Sequence, residues 1–289
     1  MTTTVQTRPR VLLAHSGWDI IPVLAGMAHL AYLVGVFLLF DRLPWWGVIL
    51  AGLGYAYLIA WNINSVSHNF IHNPYFVSPA LNRAYSLLLS LCMAFSQVMY
   101  DWVHTRHHIG NMDRPGPDGQ TIDPISIYRY GRNGEPENVW AYTFKSYLRD
   151  DPVFIWRAIN KKSPADARFA LVELAVVVAL VVAAGILNWR FVLCMVPFYY
   201  LGHSLSSLNG FYEHYRGNPD LPIAWGVSNY GWFYNWLWLN NGYHAEHHFR
   251  PRLHWTKMKK FHREIALRQQ EARVRVINWP HHLGFLDRH

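Results

Sequence analysis

Four long apolar runs organise this chain. They cover about residues 20–40, 44–64, 168–187 and 190–212, and polar stretches separate them into two pairs. Each run approaches the ~20 apolar residues with which an α-helix crosses ~30 Å of hydrocarbon. Asp41-Arg42-Leu43 joins the first pair, and the second pair turns near Asn188-Trp189. Links this short allow only antiparallel hairpins. The pattern predicts two membrane-spanning hairpins, over 20–64 and 168–212, within one all-α domain covering residues 1–289. Apart from His29, Glu173 and His203 the spans are poor in polar groups, which disfavours a transport path for ions. The stretches 65–167 and 213–289 are predicted to form a cytoplasmic and interfacial helical cap. In it, Trp140, Phe144, Tyr147 and Leu148 recur at helical spacing over 138–148. A turn-rich segment, Pro115-Gly116-Pro117-Asp118-Gly119, opens the polar part of that cap.

Eight histidines fall into three clusters between and after the apolar runs: His68-Asn-Phe-Ile-His72, His104-Thr-Arg-His107-His108 and His244-Ala-Glu-His247-His248. Positions i, i+3 and i+4 of a helix share a face, so each cluster aims its imidazoles one way, as ligands of a metal must. The clusters bear on a fifth apolar run, residues 81–99. Were it to cross the bilayer, His68 and His72 would lie opposite His104, His107 and His108 and share no site with them. It is therefore expected to be an interfacial or re-entrant helix. His68 follows Pro44 by 24 residues, about 36 Å of helix, just past the hydrocarbon. The two short links hold only Arg42 and Arg190, leaving 24 of the 26 Lys and Arg on the other side. That bias places both termini and all three clusters in the cytoplasm, at the cytoplasmic membrane if the cell is bacterial.

Composition sharpens this reading. Only 15% of the 289 residues are charged, against roughly 25% in soluble domains. The 14 Trp and 17 Tyr suit membrane–water interfaces. A net charge of +8 fits cytoplasmic Lys and Arg beside membrane lipid better than it fits nucleic acid, which is not expected as a partner. Two cysteines, Cys92 and Cys194, are too few for a Cys-ligated iron–sulfur centre or a disulfide framework. No secretory signal peptide is expected in residues 1–19. Imidazole alone leaves iron, zinc, copper and nickel open. A structural zinc site takes about four ligands, often cysteine, whereas eight or more histidines without cysteine point to a dinuclear redox centre.

The third cluster extends to Asn241-Gly-Tyr-His244-Ala-Glu-His247-His248-Phe-Arg-Pro251, and the second continues into Ile-Gly-Asn-Met-Asp113. With the hairpin order, these resemble the histidine boxes of the membrane fatty acid desaturase and hydroxylase superfamily, over about residues 20–251. A further element, Asn209-Gly-Phe-Tyr-Glu213-His214-Tyr-Arg-Gly217, is similar to the segment that supplies an extra ligand in alkane-hydroxylase relatives. The resemblance implies a di-iron site with His68, His72, His104, His107, His108, His214, His244, His247 and His248 as metal ligands. It also implies O2 as co-substrate, a fatty acyl lipid substrate, and a separate electron donor of ferredoxin, rubredoxin or cytochrome b5 type. The implied reaction is acyl desaturation. Hydroxylation of an alkane, fatty acid or other lipid, and decarboxylation to a terminal alkene, are the alternatives within the same fold.

Asp101, Asp113, Glu213 and Glu246 are candidates to orient the imidazoles. His203 is expected to be buried and hydrogen-bonded. His15, His29, His254, His262, His281, His282 and His289 lack box spacing and are expected not to bind metal. The basic run Arg250, Arg252, Lys257, Lys259, Lys260, Arg263 is expected to meet anionic headgroups. The aromatic run Trp232, Phe233, Tyr234, Trp236, Trp238 is expected to be an interfacial belt.

Overall fold

The computed structural model describes residues 12–110 and 121–287. Asp113, His289, the turn at 115–119 and both chain ends lie outside them. Helices dominate, and among the described residues β pairing is confined to two isolated bridges, Leu13 with Phe76 and Ser228 with Val276. Three stretches are long and apolar enough to cross a membrane: Gly17–Arg42, Trp45–His72 and Pro164–His214.

Helix α1, Ile20–Leu39, and α2, Trp45–Trp61, form the first hairpin. Helix α2 then widens into a π-helical turn, Asn62–Ser67, which runs directly into α3, His68–His72. Polar side chains explain the widening. Ser65 Oγ bonds the Trp61 carbonyl, Asn64 Nδ2 bonds the Ala60 carbonyl at 2.8 Å, and Ser67 Oγ bonds Asn62 Oδ1 at 2.8 Å. Such bonds compete with the regular helical ladder. The turn sets the rotation at which α3 presents His68 and His72.

The chain next makes an elbow. Helix α4, Pro79–Met93, starts at a Ser78 cap with proline in its first turn and ends at Ala94, whose φ of 48° is left-handed. Helix α5, Gln97–Gly110, departs at 90° to it. Both ends of this stretch return to one end of the bundle, because His72 Nε2 and His104 Nε2, which flank it, lie 2.8 Å apart. Helix α4 meets α1 within its first two turns, through Tyr85 Oη on the Pro22 carbonyl at 2.6 Å and Cys92 near the Gly26 carbonyl at 3.5 Å. The single apolar run 81–99, expected as one interfacial or re-entrant helix, is instead two helices that meet at this elbow.

After α6, Val139–Lys145, and α7, Pro152–Lys162, comes α8, Pro164–His214. The expected helix over 138–148 ends at Lys145, and a 3-10 turn, Tyr147–Arg149, follows. Helix α8 is broken at Asn188, with φ −154° and ψ 82°. Glu173 bonds Ser96 Oγ at 2.6 Å and His203 Nε2 bonds the Met93 carbonyl at 3.0 Å. Glu173 and His203 each lie 15 residues from Asn188, on opposite sides, so a straight helix would hold them about 45 Å apart. The chain therefore reverses at Asn188 into limbs 164–187 and 189–214. Asn188 Oδ1 accepts from Phe191 N at 3.1 Å and caps the second limb. Its Nδ2 donates to Asp41 Oδ2 at 2.9 Å, tying the turns of both hairpins together at the end away from the histidines.

Glu173 is fully buried in an apolar limb, and its partners account for it. The carboxylate accepts from Ser86 Oγ at 2.5 Å, Ser96 Oγ at 2.6 Å and Val98 N at 3.1 Å. It thereby satisfies two buried hydroxyls and the Val98 amide, which the start of α5 leaves without a helical partner. The second limb packs closely on α2: a Cβ at Gly202 would stand 2.7 Å from Ile59 Cβ and 2.9 Å from the Ala56 carbonyl. Short helices α9, Trp232–Leu237, and α10, His244–Phe249, then α11, Met258–Glu271, close over the end that holds the histidines.

Candidate metal centre

Nine imidazoles gather there in two groups. His68, His72, His104, His108 and His247 form one, and His107, His214, His244 and His248 the other; within each group the ligand atoms lie within 4.8 Å of one another. In the first group Nε2 faces Nε2: 2.8 Å for His68 with His247, 2.8 Å for His72 with His104, and 3.0 Å for His108 with both His104 and His247. In the second, His244 Nε2 and His214 Nε2 are 3.1 Å apart. The groups abut where the rings of His108 and His248 stack at 4.3 Å.

The elements share the work unevenly. Helix α3 gives both its histidines to the first group. Helix α5 gives His104 and His108 to the first and His107 to the second. Helix α10 gives His247 to the first and His244 and His248 to the second. His214, the last residue of α8, completes the second.

Orienting partners fix the tautomers. His107 Nδ1 lies 2.7 Å from Asp123 Oδ2, and His68 Nδ1 lies 3.1 Å from Asn241 Oδ1. Asn241 Nδ2 donates to Glu213 Oε1 at 2.6 Å, which identifies its other terminal atom as the oxygen. Both partners can only accept, so Nδ1 carries the proton and Nε2 keeps its lone pair. Asn209 Nδ2 also donates to Glu213 Oε1, at 2.8 Å, and His244 Nδ1 stands 3.6 Å from that oxygen. Burial, then neighbouring imidazoles, hold His244, His247 and His248 well below the usual histidine range. They are neutral at pH 7 and offer lone pairs in place of positive charge. Buried, neutral, convergent nitrogen donors with carboxylate and amide support fit transition-metal ions.

The four candidate carboxylates part company. Glu213 faces the site. Glu246 is buried but turned away, accepting from Ser228 Oγ at 2.8 Å and Tyr230 Oη at 3.0 Å and meeting His262 Nδ1 at 2.6 Å. Asp101 accepts from Thr105 Oγ1 at 2.9 Å on its own helix, and Asp113 lies outside the described residues. Asp123, fully buried against His107, has no motif spacing to announce it.

The remaining described histidines belong to neither group, although the His281 ring lies 6.2 Å from that of His244. His203 is buried on the Met93 carbonyl, His29 on Asn62 at 3.1 Å, and His281 on Tyr234 Oη at 3.0 Å. His254 pairs with Asp19 at 2.8 Å. His282 stacks on Trp238, and His15 sits beside His254. The aromatic run divides: Trp232, Phe233 and Trp236 are exposed as an interfacial belt requires, whereas Tyr234 and Trp238 turn inward and pack.

A cavity of about 120 Å³ touches His68, His104, His107, His214 and His244 and runs between the π-helical turn that follows α2, α5, α8 and the α6 segment. Convergent imidazole nitrogens and a largely apolar cavity thus meet at one end of a hydrophobic bundle.

Two curated plant relatives, both named sphingolipid delta(4)-desaturase DES1-like, align with most of the chain. The protein from Oryza sativa subsp. japonica is 25% identical over 217 residues, 71% of this chain and 60% of the relative. The protein from Arabidopsis thaliana is 26% identical over 226 residues, 75% of this chain and 63% of the relative. The chain thus aligns with about three fifths of the length of these relatives. The family model described as fatty acid desaturase matches residues 43–279, from before α2 to beyond α11, and the chain belongs to that family.

Proposed function

We propose that the protein is an O2-dependent membrane lipid desaturase whose nine clustered histidines hold two iron ions. The convergence of nine buried imidazoles into two adjoining groups carries this reading. His68, His72, His104, His108 and His247 would hold one ion, and His107, His214, His244 and His248 the other. Family membership favours iron among the metals that imidazole suits. Bound there, the iron pair supplies O2 reduction and the power to break an unactivated C–H bond. Desaturation takes two hydrogens from adjacent methylenes; with O2, two electrons and two protons it yields the alkene and two waters.

The protein's own residues do the positioning. Asp123 and Asn241 keep the proton on Nδ1 of His107 and His68, so that Nε2 points inward. Ile63, Tyr100 and Val103 wall the cavity beside His104 and keep a methylene chain close to the histidines and away from water. The names of the two plant relatives support a sphingolipid or similar long-chain lipid as substrate. Electrons would come from a separate donor of ferredoxin, rubredoxin or cytochrome b5 type. The turns at Asp41 and Asn188 would face the far side of the membrane and the histidines the cytoplasm, in line with the Lys and Arg distribution.

Metal analysis and Mössbauer spectroscopy of protein purified anaerobically in detergent test the reading. Close to two iron ions per chain with coupled spectra are expected, and His247→Ala should lose the coupled pair. One zinc, or no stoichiometric metal after iron-replete expression, would overturn it. A dominant alcohol product from a saturated lipid would keep the metal centre but replace desaturation by hydroxylation.

A further inference from the structure

The cavity follows α8 away from the histidines. His214, Gly210, Ser207 and His203 line it at helical spacing. The eleven residues from His214 to His203 set its far end about 16 Å from the metal centre. Tyr147 closes that end. Its ring stacks on His203 with centroids 3.9 Å apart, its hydroxyl bonds the Tyr199 hydroxyl, and its ring meets Phe95 of the elbow at 6.2 Å.

What lies outside the closure is apolar. Phe144 and Leu148, on either side of Tyr147 in sequence, are 44% and 65% exposed. Val196, one turn before Tyr199 and Tyr200 on the apolar limb, is 52% exposed. Tyr200 Oη bonds the Phe144 carbonyl and fastens this segment to the limb. An exposed apolar face continuous with a spanning helix is a face for lipid.

The polar side offers a poorer way in. A wide groove there carries Arg106, Arg129, Lys161 and Lys162, and among the described residues Asp150 alone lines both groove and cavity. An anionic headgroup drawn to those cations would have to pass a carboxylate at the junction. Tyr147, in contrast, belongs to a single 3-10 turn between α6 and α7 and to neither helix.

We propose that Phe95, Tyr147 and Tyr199 form a lateral gate, through which a lipid already resident in the bilayer slides its chain to the histidines. The substrate is then a membrane lipid, not a water-soluble acyl carrier. This rests on the desaturase reading for its chemistry but not for its test.

The test labels a thiol inside the cavity and needs neither iron nor turnover. Ser207→Cys is made in a Cys194→Ser background, since Cys194 is exposed and Cys92 buried. The full chain in phosphatidylcholine vesicles is treated with dodecyl maleimide, which partitions into the bilayer, or with a sulfonated maleimide confined to water. Adding Tyr147→Ala should speed dodecyl maleimide labelling at least fivefold and leave the aqueous rate within twofold. Tyr147→Phe, which removes only the bond to Tyr199, should give a smaller gain of the same sign. No change with either variant, or faster aqueous labelling with Asp150→Ala while Tyr147→Ala changes nothing, would overturn the gate and move access to the groove. Iron content, measured on the same samples, reports separately on the metal centre.

Discussion

Asp123 occurs in no box and at no ligand spacing, yet it sets the tautomer of His107 from a fully buried position. Loss of such a partner commonly weakens metal binding by about 10–100-fold. Asp123→Ala should therefore release iron to a competing chelator at least tenfold more readily than the parent protein. Asp101→Ala, whose carboxylate meets Thr105 on the outer side of α5, should leave retention unchanged. Equal retention in all three proteins would remove Asp123 from the metal centre. The contrast also shows where reading from sequence stops at this scale. The boxes were legible because a ligand pair on one helix needs spacings of three and four. Their division into two groups was not, because adjacent residues on a helix diverge by about 100°, and His107 and His108 separate on that account. Asp123 lies 16 residues along the chain from His107 and outside α5, so no local periodicity marks it.

The α4–α5 elbow shows how one buried carboxylate can hold an interrupted element in place. Replacing Glu173 by alanine would strand the hydroxyls of Ser86 and Ser96 and the amide of Val98 in an apolar setting. Each stranded group costs about 1–3 kcal/mol, and part of this is recovered by local rearrangement. Glu173→Ala should thus lower stability by on the order of 3 kcal/mol in thermal or denaturant unfolding in detergent, and Glu173→Gln by less. Unchanged unfolding of Glu173→Ala would show that the elbow is held by packing alone. The approximate extent of the long apolar helices was legible from hydropathy, whereas the break of residues 81–99 into two helices was not. The π-helical turn at Asn62–Ser67 was not, because it depends on which carbonyls Ser65, Asn64 and Ser67 reach. The one-residue reversal at Asn188 was placed correctly from sequence, although its bond to Asp41 joins residues 147 apart.

At the scale of the whole molecule, the proposed ligands belong to α3, α5, α8 and α10, so bound metal ties the bundle to its covering helices. A ligand at 100 times its dissociation constant stabilises the state that binds it by about 2.7 kcal/mol. Chelation should accordingly lower the melting temperature and open the segment after α8 to protease before the apolar limbs; a melting temperature unaffected by iron removal would show that the centre adds nothing to the fold. The all-α architecture and the site's place at one end of the bundle were legible because few topologies bring three boxes together. The route to the site was not, since it depends on how Tyr147, Tyr199 and His203 pack. The first group also imposes an order on biogenesis. His68 and His247 stand 179 residues apart in the chain and 2.8 Å apart in space. The ribosome must therefore deliver nearly the whole transmembrane bundle to the bilayer before five imidazoles can surround one ion. On the proposed di-iron reading, iron insertion would be a late maturation step, and a nascent chain halted before α10 would meet the cell's metal pool with an incomplete coordination sphere.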